Sequence, residues 1–444
     1  MLQGLGLREI VSHVGTILLQ RVGSLVLQIS TVVFLAHLLG PEGFGQYAVA
    51  ILLPGMLAVA LSLGMPAATV YALGRGGSVH AVFRWYVRFG GLLVACGVAL
   101  SAVLVAGASD LIFPGVPSQL LWIGACGFPA VWFFHAMTSV LRGKQDFRRY
   151  NLAMLMNPAA ALVAVVLLVW AAGAGVAGAV AAWVTGQTCG LLSAAWFSWR
   201  HYAAESGDSP ANSRERPDLK YGLKVYLSHI LAFMNYRIDI FLVNFFVGPA
   251  GAGIYTAAVR MAEQLWLISS AASIVLLPRL AGLDAAEETR RQLTPIIARW
   301  VTLAVLGIAI VLAVTMDWIV DLVFGPEYAP AADVLRWLLP GIVAYSCVMV
   351  LSPDLSARGR PDLNGWAAAV SLAVNVACNL LLIPLYGIIG AALATTIAYV
   401  MTAVITIWFY TRLSRNSAWA VMRLGRTDWE IIKVATATVR GKRS

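Results

Sequence analysis

Runs of about 20 apolar residues recur along nearly the whole chain, and each is long enough to cross a bilayer as a helix. Charged residues make up only 12% of the 444 positions while 60% are hydrophobic, and the mean hydropathy is +0.80. A soluble domain carries roughly twice that share of charge. These features specify an all-α integral membrane protein and exclude a soluble enzyme or nucleic-acid-binding domain, despite the net charge of +10.

Breaks at charged or Gly/Pro-rich loops divide the apolar runs into about twelve spans. They lie near 12–39, 47–74, 85–108, 118–141, 150–172 and 176–198, then 222–247, 254–278, 295–316, 329–352, 364–384 and 387–411. The hydrophilic connector 199–221 separates two sets of six, and a basic segment, 412–444, follows the last span. This gives an N-terminal six-helix bundle (1–198) and a C-terminal one (222–411). All but four of the 31 Lys and Arg fall on even-numbered loops or the termini. The positive-inside rule then places both termini in the cytoplasm. The first stretch lacks a compact signal-peptide core, so span 1 is expected to be retained. The basic tail mixes apolar and cationic positions and reads either as an amphipathic segment on the anionic inner leaflet or as disordered chain. Trp85, Trp122, Trp170, Trp199, Trp318, Trp366 and Trp408 mark span ends, as interface anchors do. The five cysteines lie in apolar stretches without metal-ligand spacing and read as small membrane-buried residues. No cofactor is expected.

The chain repeats itself. GPEGFGQYA (40–48) returns as GPAGAGIYT (248–256), LRGKQDF (141–147) as ARGRPDL (357–363), and GVAGAVAA (175–182) as GIIGAALA (387–394). The offsets of 208, 216 and 212 make two parallel repeats of six spans, with a substrate path expected between them. GPxGxG then reads as a tight outer turn, with glycine for backbone freedom and proline to stop the helix. GAGVAG (173–178) matches GxGxxG but has no strand before it, so the dinucleotide reading fails.

Four basic residues fall inside spans: Arg21, Arg237, Arg260 and Arg336, accompanied by the acids Asp239 and Glu263. Each such charge costs roughly 2.5–3.5 kcal/mol near mid-membrane, so each needs a partner or a watery cavity. At 1.5 Å per residue, Arg237, Arg260 and Arg336 lie roughly 12–16 Å from the outer ends of their spans, in one layer. Arg21, Ser24, Gln28 and Thr31 share a helix face, as do Arg237 and Asn244; span 11 adds Ser371, Asn375 and Asn379. One reading is salt bridging, with Arg260 on Glu263 and Arg21 reaching to the cytoplasm. The other is a cavity whose cationic surplus favours an anionic substrate, since the guanidinium fork suits phosphate. His135, among Trp132, Phe133 and Phe134, reads as a packed or hydrogen-bonded residue.

The stretches FLAHLLGPEGFGQYAVAILLPGMLAVALSLGMPAATV (34–70) and FLVNFFVGPAGAGIYTAAVRMAEQL (241–265), with LRGKQDF before span 5, resemble the polysaccharide-transporter family of the MOP flippase superfamily, the Wzx-type flippases. The resemblance implies two six-helix bundles in a V around a cationic cavity, as in MATE transporters. It further implies movement of an undecaprenyl-diphosphate-linked oligosaccharide from the cytoplasmic to the outer face of the inner (plasma) membrane, by rocking of one bundle against the other. Arg21, Arg237, Arg260, Arg336, Gln28 and Asn244 would then bind substrate. Asp239 and Glu263 would be candidates for coupling to Na⁺ or H⁺, and polysaccharide polymerase and assembly machinery would be partners. A multidrug cation exporter shares the architecture, but spans 1–6 contain no Asp or Glu to receive a cation. A membrane polymerase or ligase needs a sizeable outer loop, and every outer loop here is short.

Overall fold

The computed structural model describes residues 7–202, 217–270 and 287–417. Most of the connector, the end of span 8 with the loop after it, and nearly all of the basic tail lie outside the described residues. Every regular element among those described is helical. Among the described residues, nine helical spans are long and apolar enough to cross a membrane.

The first and last are double length. Helix α1 (Leu7–Ala60) and the final helix (Pro361–Ser414, α13 below) each have 54 residues and one non-helical residue inside, Gly40 (φ 64°) and Gly387 (φ 58°) respectively. A left-handed φ costs a side chain dearly but glycine little, and Pro41 lacks the amide that would continue the hydrogen-bond ladder. The expected outer turn at GPxGxG is therefore a one-residue kink. The echo returns the same geometry at Gly248 (φ 95°), and Gly175 (φ 56°) matches Gly387. The third echo holds only in sequence: Gly359 is left-handed, but in LRGKQDF it is Gln145.

Span 2 is interrupted as well. After Ala60 the chain turns through Leu63 and Gly64, both at positive φ, and α2 (Met65–Gly74) begins with Pro66 in its first turn. Next come α3 (Val79–Trp85), a π-helical turn over Tyr86–Gly90, α4 (Gly91–Ile112) and α5 (Ser118–Cys126). The sequence continues with α6 (Phe128–Gly143), α7 (Phe147–Val165), α8 (Gly175–Tyr202), α9 (Leu219–Val247) and α10 (Pro249–Gln264). It ends with α11 (Glu287–Phe324), α12 (Pro330–Ala357) and α13 (Pro361–Ser414). Within the spans Ser118–Gly143 and Pro330–Ala357, 67% and 61% of the most apolar window is buried, against a third or less in the other seven. The starts of these two spans are one repeat apart, so each half has one helix enclosed by the others.

The chain forms two compact units. The first comprises Met1–Ala258, Asp317–Val334 and Asn379–Ala391; the second comprises Val259–Met316, Leu335–Cys378 and Ala392–Ser444. Compactness thus groups α9 with the N-terminal helices, whereas the sequence division falls at the connector. The ties are explicit. The Tyr226 hydroxyl donates to the Ala60 carbonyl (2.6 Å), the Asn244 amide donates to Pro114 (3.3 Å), and Phe113 meets Phe241 edge to face.

Within the first unit the two GPxGxG phrases lie directly against each other. A Cβ on Gly45 would stand 1.7 Å from the Pro249 carbonyl oxygen, and one on Gly253 would stand 2.0 Å from that of Pro41. The relation is reciprocal, as two repeats related by an axis require. In each phrase the first glycine makes the kink and the third admits the other phrase's backbone.

The second unit carries the matching polar clamp of the repeat. Thr402 on one arm of α13 bonds Ser371 on the other (2.7 Å), as Asn157 on α7 bonds Gln187 on α8 (2.8 Å) in the first unit. Of the seven span-end tryptophans, all but Trp85 are exposed, consistent with anchors at a membrane surface. All five cysteines are free. Cys347 is buried inside the protein, whereas Cys96 and Cys126 are exposed on its surface.

Asp146 caps α7, accepting from the Arg149 amide (3.1 Å), the Arg149 guanidinium and the Tyr202 hydroxyl (2.6 Å). Burial works against its charge, but the hydrogen bonds from Tyr202 and Arg149 outweigh it and hold the carboxyl below the usual aspartate range. A depressed carboxylate stabilises the fold above its unfolded pKa, and that contribution is lost as the pH falls through the folded value. Asp146→Asn should therefore lower the melting temperature at pH 7, with the gap to wild type closing below about pH 4. Gly253→Ala should destabilise by about 1–3 kcal/mol or more, because its Cβ meets backbone that cannot rotate away. Gly55→Ala, with open space around it, should be neutral or stabilising, and thermal unfolding in detergent compares the two.

Candidate functional site

The intramembrane charges fall in both units. In the first, α9 carries Arg237, Asp239 and Asn244. Asp239 is 2% exposed, and its carboxylate accepts from the Tyr255 hydroxyl (2.6 Å) and the Ile240 amide (2.8 Å). Tyr255 is the tyrosine of the repeated phrase. It lies seven residues after the Gly248 kink and Asp239 nine before it, so the antiparallel pair brings them level. That spacing is the signal by which sequence alone would have found Tyr255. Arg237 is half-buried, and its guanidinium donates to the Tyr236 carbonyl at 3.4 Å. Asn244 is fully buried, and its amide is engaged by Pro114.

The polar face expected on span 1 divides. Ser24 and Thr31 are buried, the former bonded by Gln20 (2.9 Å) and the latter donating to Leu27 (2.8 Å), while Arg21 and Gln28 are exposed. His135 departs from the packed reading. Its ring, 6.0 Å from that of Phe134, is exposed.

In the second unit, Arg260 and Glu263 form the expected pair at 3.7 Å, one helical turn apart, with side chains 36% and 17% exposed. The Gln264 amide binds the Arg260 carbonyl (2.7 Å). Arg336 donates through Nε to the Ala313 carbonyl on α11 (3.2 Å). Ser371 and Asn375 are wholly buried along α13, as is Asn379, which belongs to the first unit. Apart from Arg21, these charges follow one rule: each makes a contact within its own helix or on a neighbouring one, which lowers the cost of carrying it into the membrane. Among the described residues no three His, Cys, Asp or Glu side chains converge as a metal site.

A buried carboxylate that loses a hydrogen bond costs about 1–3 kcal/mol. Tyr255→Phe should destabilise by that amount in wild type and by clearly less in an Asp239→Asn background. A double-mutant cycle of melting curves measures the coupling, and additive losses would show that the two side chains act independently.

Comparison with known proteins agrees with this architecture. The family model described as "Polysaccharide biosynthesis protein" matches residues 34–333. A putative O-antigen transporter of Shigella flexneri is 22% identical over 390 residues, covering 86% of this chain and 92% of the relative. A probable low-salt glycan biosynthesis flippase of Haloferax volcanii is 26% identical over 199 residues, 44% of this chain and 42% of the flippase's length. Among solved structures, lipid II flippase MurJ in an inward closed conformation superposes with a TM-score of 0.73 at 15% identity, covering 95% and 96% of the two chains. An outward-facing MATE multidrug transporter of the MOP superfamily gives 0.63 at 18% identity, covering 92% and 96%. At such identities these likenesses speak for the fold. The chain is a multi-pass membrane protein with the fold of the MOP superfamily, and it belongs to the polysaccharide biosynthesis protein family.

Proposed function

We propose that the protein is a flippase that carries an undecaprenyl-diphosphate-linked oligosaccharide from the cytoplasmic to the outer face of the inner membrane. The observation that carries this reading is the cationic surplus within the membrane spans. Arg21, Arg237, Arg260 and Arg336 stand against Asp239 and Glu263, in a family whose relatives include a putative O-antigen transporter and a probable glycan flippase. A surplus of guanidinium groups attracts a diphosphate and repels a cationic drug. The exporter reading lacks what it needs, since the first six spans hold no carboxylate.

Twelve crossings follow when the arms of α1 and α13 count separately and α10 counts with α9 as a hairpin kinked at Gly248. An even number of crossings would put both termini on one side of the membrane, and the positive-inside rule makes that side the cytoplasm. Transport proceeds by alternating access between the two repeats. Asp239 and Glu263 are the coupling candidates for H⁺ or Na⁺, and a polysaccharide polymerase is the natural recipient of the delivered repeat unit.

The test is transport of a labelled diphosphate-linked oligosaccharide into proteoliposomes, comparing wild type with Arg237→Gln and Arg260→Gln after each is shown to fold. Loss of one charged hydrogen bond, worth about 1.5–3 kcal/mol, should slow transport at limiting substrate by about tenfold or more. Normal transport by both variants would make these arginines structural. Absence of wild-type transport with every such lipid would overturn the flippase reading.

A further inference from the structure

The last helix of each repeat closes on the same phrase. WFSWR (196–200) near the end of α8 returns 212 residues later as WFYTR (408–412) near the end of α13, at the offset that relates GVAGAVAA to GIIGAALA. Helix α8 ends at Tyr202 and α13 at Ser414, so in both the tryptophan stands six residues and the arginine two residues before the end. Four residues before each tryptophan is an exposed aliphatic side chain, Leu192 in the first unit and Val404 in the second. An aliphatic group, an indole and a guanidinium therefore follow one another along one helix face, over about 12 Å.

Each unit builds the same stack. In the first, the guanidinium carbon of Arg200 lies 5.2 Å from the centroid of the Trp196 ring; in the second, that of Arg412 lies 4.5 Å from the centroid of Trp408. The tryptophans are 54% and 48% exposed, and both arginines are exposed. Side chains on a helix lean toward its N-terminus, so an arginine near the C-terminal end leans back over the ring one turn before it. An indole offers the guanidinium a π face and no acceptor. Arg75 on Tyr71 is the contrast: at the same four-residue spacing it gives an N–H to the tyrosine hydroxyl (2.9 Å). Among the described residues neither the Arg200 nor the Arg412 guanidinium makes an ion pair or a hydrogen bond. Their donors are held in place and remain available.

The helix ends are secured without these stacks. Beside the first, Trp199 packs on Phe83 of α3 (ring centroids 5.6 Å apart), and the Ser198 hydroxyl donates to the Met137 carbonyl on α6 (3.4 Å). Just past the end of α13, the Asn416 amide donates to the Arg291 carbonyl on α11 (2.9 Å).

We propose that each WFxxR phrase clamps one anionic phospholipid in the leaflet at which its helix ends. The guanidinium takes the phosphate, the indole lies against the glycerol ester region, and Leu192 or Val404 meets the acyl chain. A guanidinium held flat on a ring presents its N–H edge to two phosphate oxygens at once. No carboxylate stands in either stripe to receive an ammonium, so an anionic headgroup is preferred to a zwitterionic one. Both repeats carry the clamp on exposed faces, as a lipid of the surrounding bilayer requires and a single cargo does not. By the orientation proposed above, these are lipids of the inner leaflet.

The test is native mass spectrometry of the full-length protein in detergent, titrated with phosphatidylglycerol or with phosphatidylethanolamine. Wild type should hold two phosphatidylglycerol molecules about tenfold more tightly than phosphatidylethanolamine, and the preference should shrink as ionic strength rises. Arg200→Gln and Arg412→Gln should each remove one tight site, and the double variant both. Trp196→Leu keeps the charge and the apolar bulk, yet should weaken its site severalfold. Melting curves check folding; the two clamps lie in different units, so a variant that fails to fold leaves the other clamp to decide. Unchanged phosphatidylglycerol binding in the glutamine variants would overturn the clamps. Unchanged binding in Trp196→Leu would reduce the site to a bare surface charge and overturn the stacked geometry. Tighter binding of undecaprenyl diphosphate than of phosphatidylglycerol, lost in the same variants, would overturn the assignment to phospholipid. None of these readouts requires transport, so failure of the flippase reading leaves the clamps standing, and failure of the clamps leaves the flippase.

Discussion

The reciprocal approach of two backbones without side chains between them is the contact on which the rest of the first unit depends. Gly45 faces the Pro249 carbonyl, and Gly253 faces that of Pro41. Inside a membrane helices gain little from excluding water, so close packing of small residues and weak Cα–H···O contacts must hold them together. Both are available only where Cβ is absent. The kinks at Gly40 and Gly248 aim the following helices so that the third glycine of each phrase meets the proline of the other. One nine-residue phrase, used twice, thus makes a bend and then the surface that receives its own copy.

That duplicated frame carries charges that are not duplicated. In the second unit the cost of burying ions is met locally, by Arg260 with Glu263 one turn away and by Asp354 with Arg358 four residues on. In the first unit Asp239 takes a hydroxyl from the next helix, while Arg142 has Thr138 where its counterpart has an aspartate. Ion pairs one turn apart are satisfied in the unfolded helix too, so they add modestly to stability. Their value is that they let the segment enter the membrane at all.

Much of this was legible in the sequence because membrane folding obeys few rules. Apolar length gave the helices, the lysines and arginines gave an expected orientation, and the recurring Gly-Pro phrase gave the repeat. A break at Gly40 followed from glycine beside proline, although the expected turn is a one-residue kink. The Arg260–Glu263 pair followed from spacing alone. Other features depend on which faces of distant helices meet, and no local periodicity encodes that. The mutual contact of the two phrases, 208 residues apart, is of this kind. So is the exposure of His135: a histidine among Trp132, Phe133 and Phe134 reads as packed, yet the residue is exposed. The interruption after Ala60 was itself signalled only weakly, by Gly64 and Pro66 within an otherwise apolar run.

A carrier for an amphiphile with an anionic head and a long apolar tail faces opposing demands. The head needs cations in a place from which hydrocarbon is excluded, yet those cations must not hold it so firmly that it stays. Guanidinium groups keep their charge at any physiological pH, so sites built from them alone bind with one strength throughout. Repetition supplies a symmetric frame, and the placement of charge within that frame differs between the repeats.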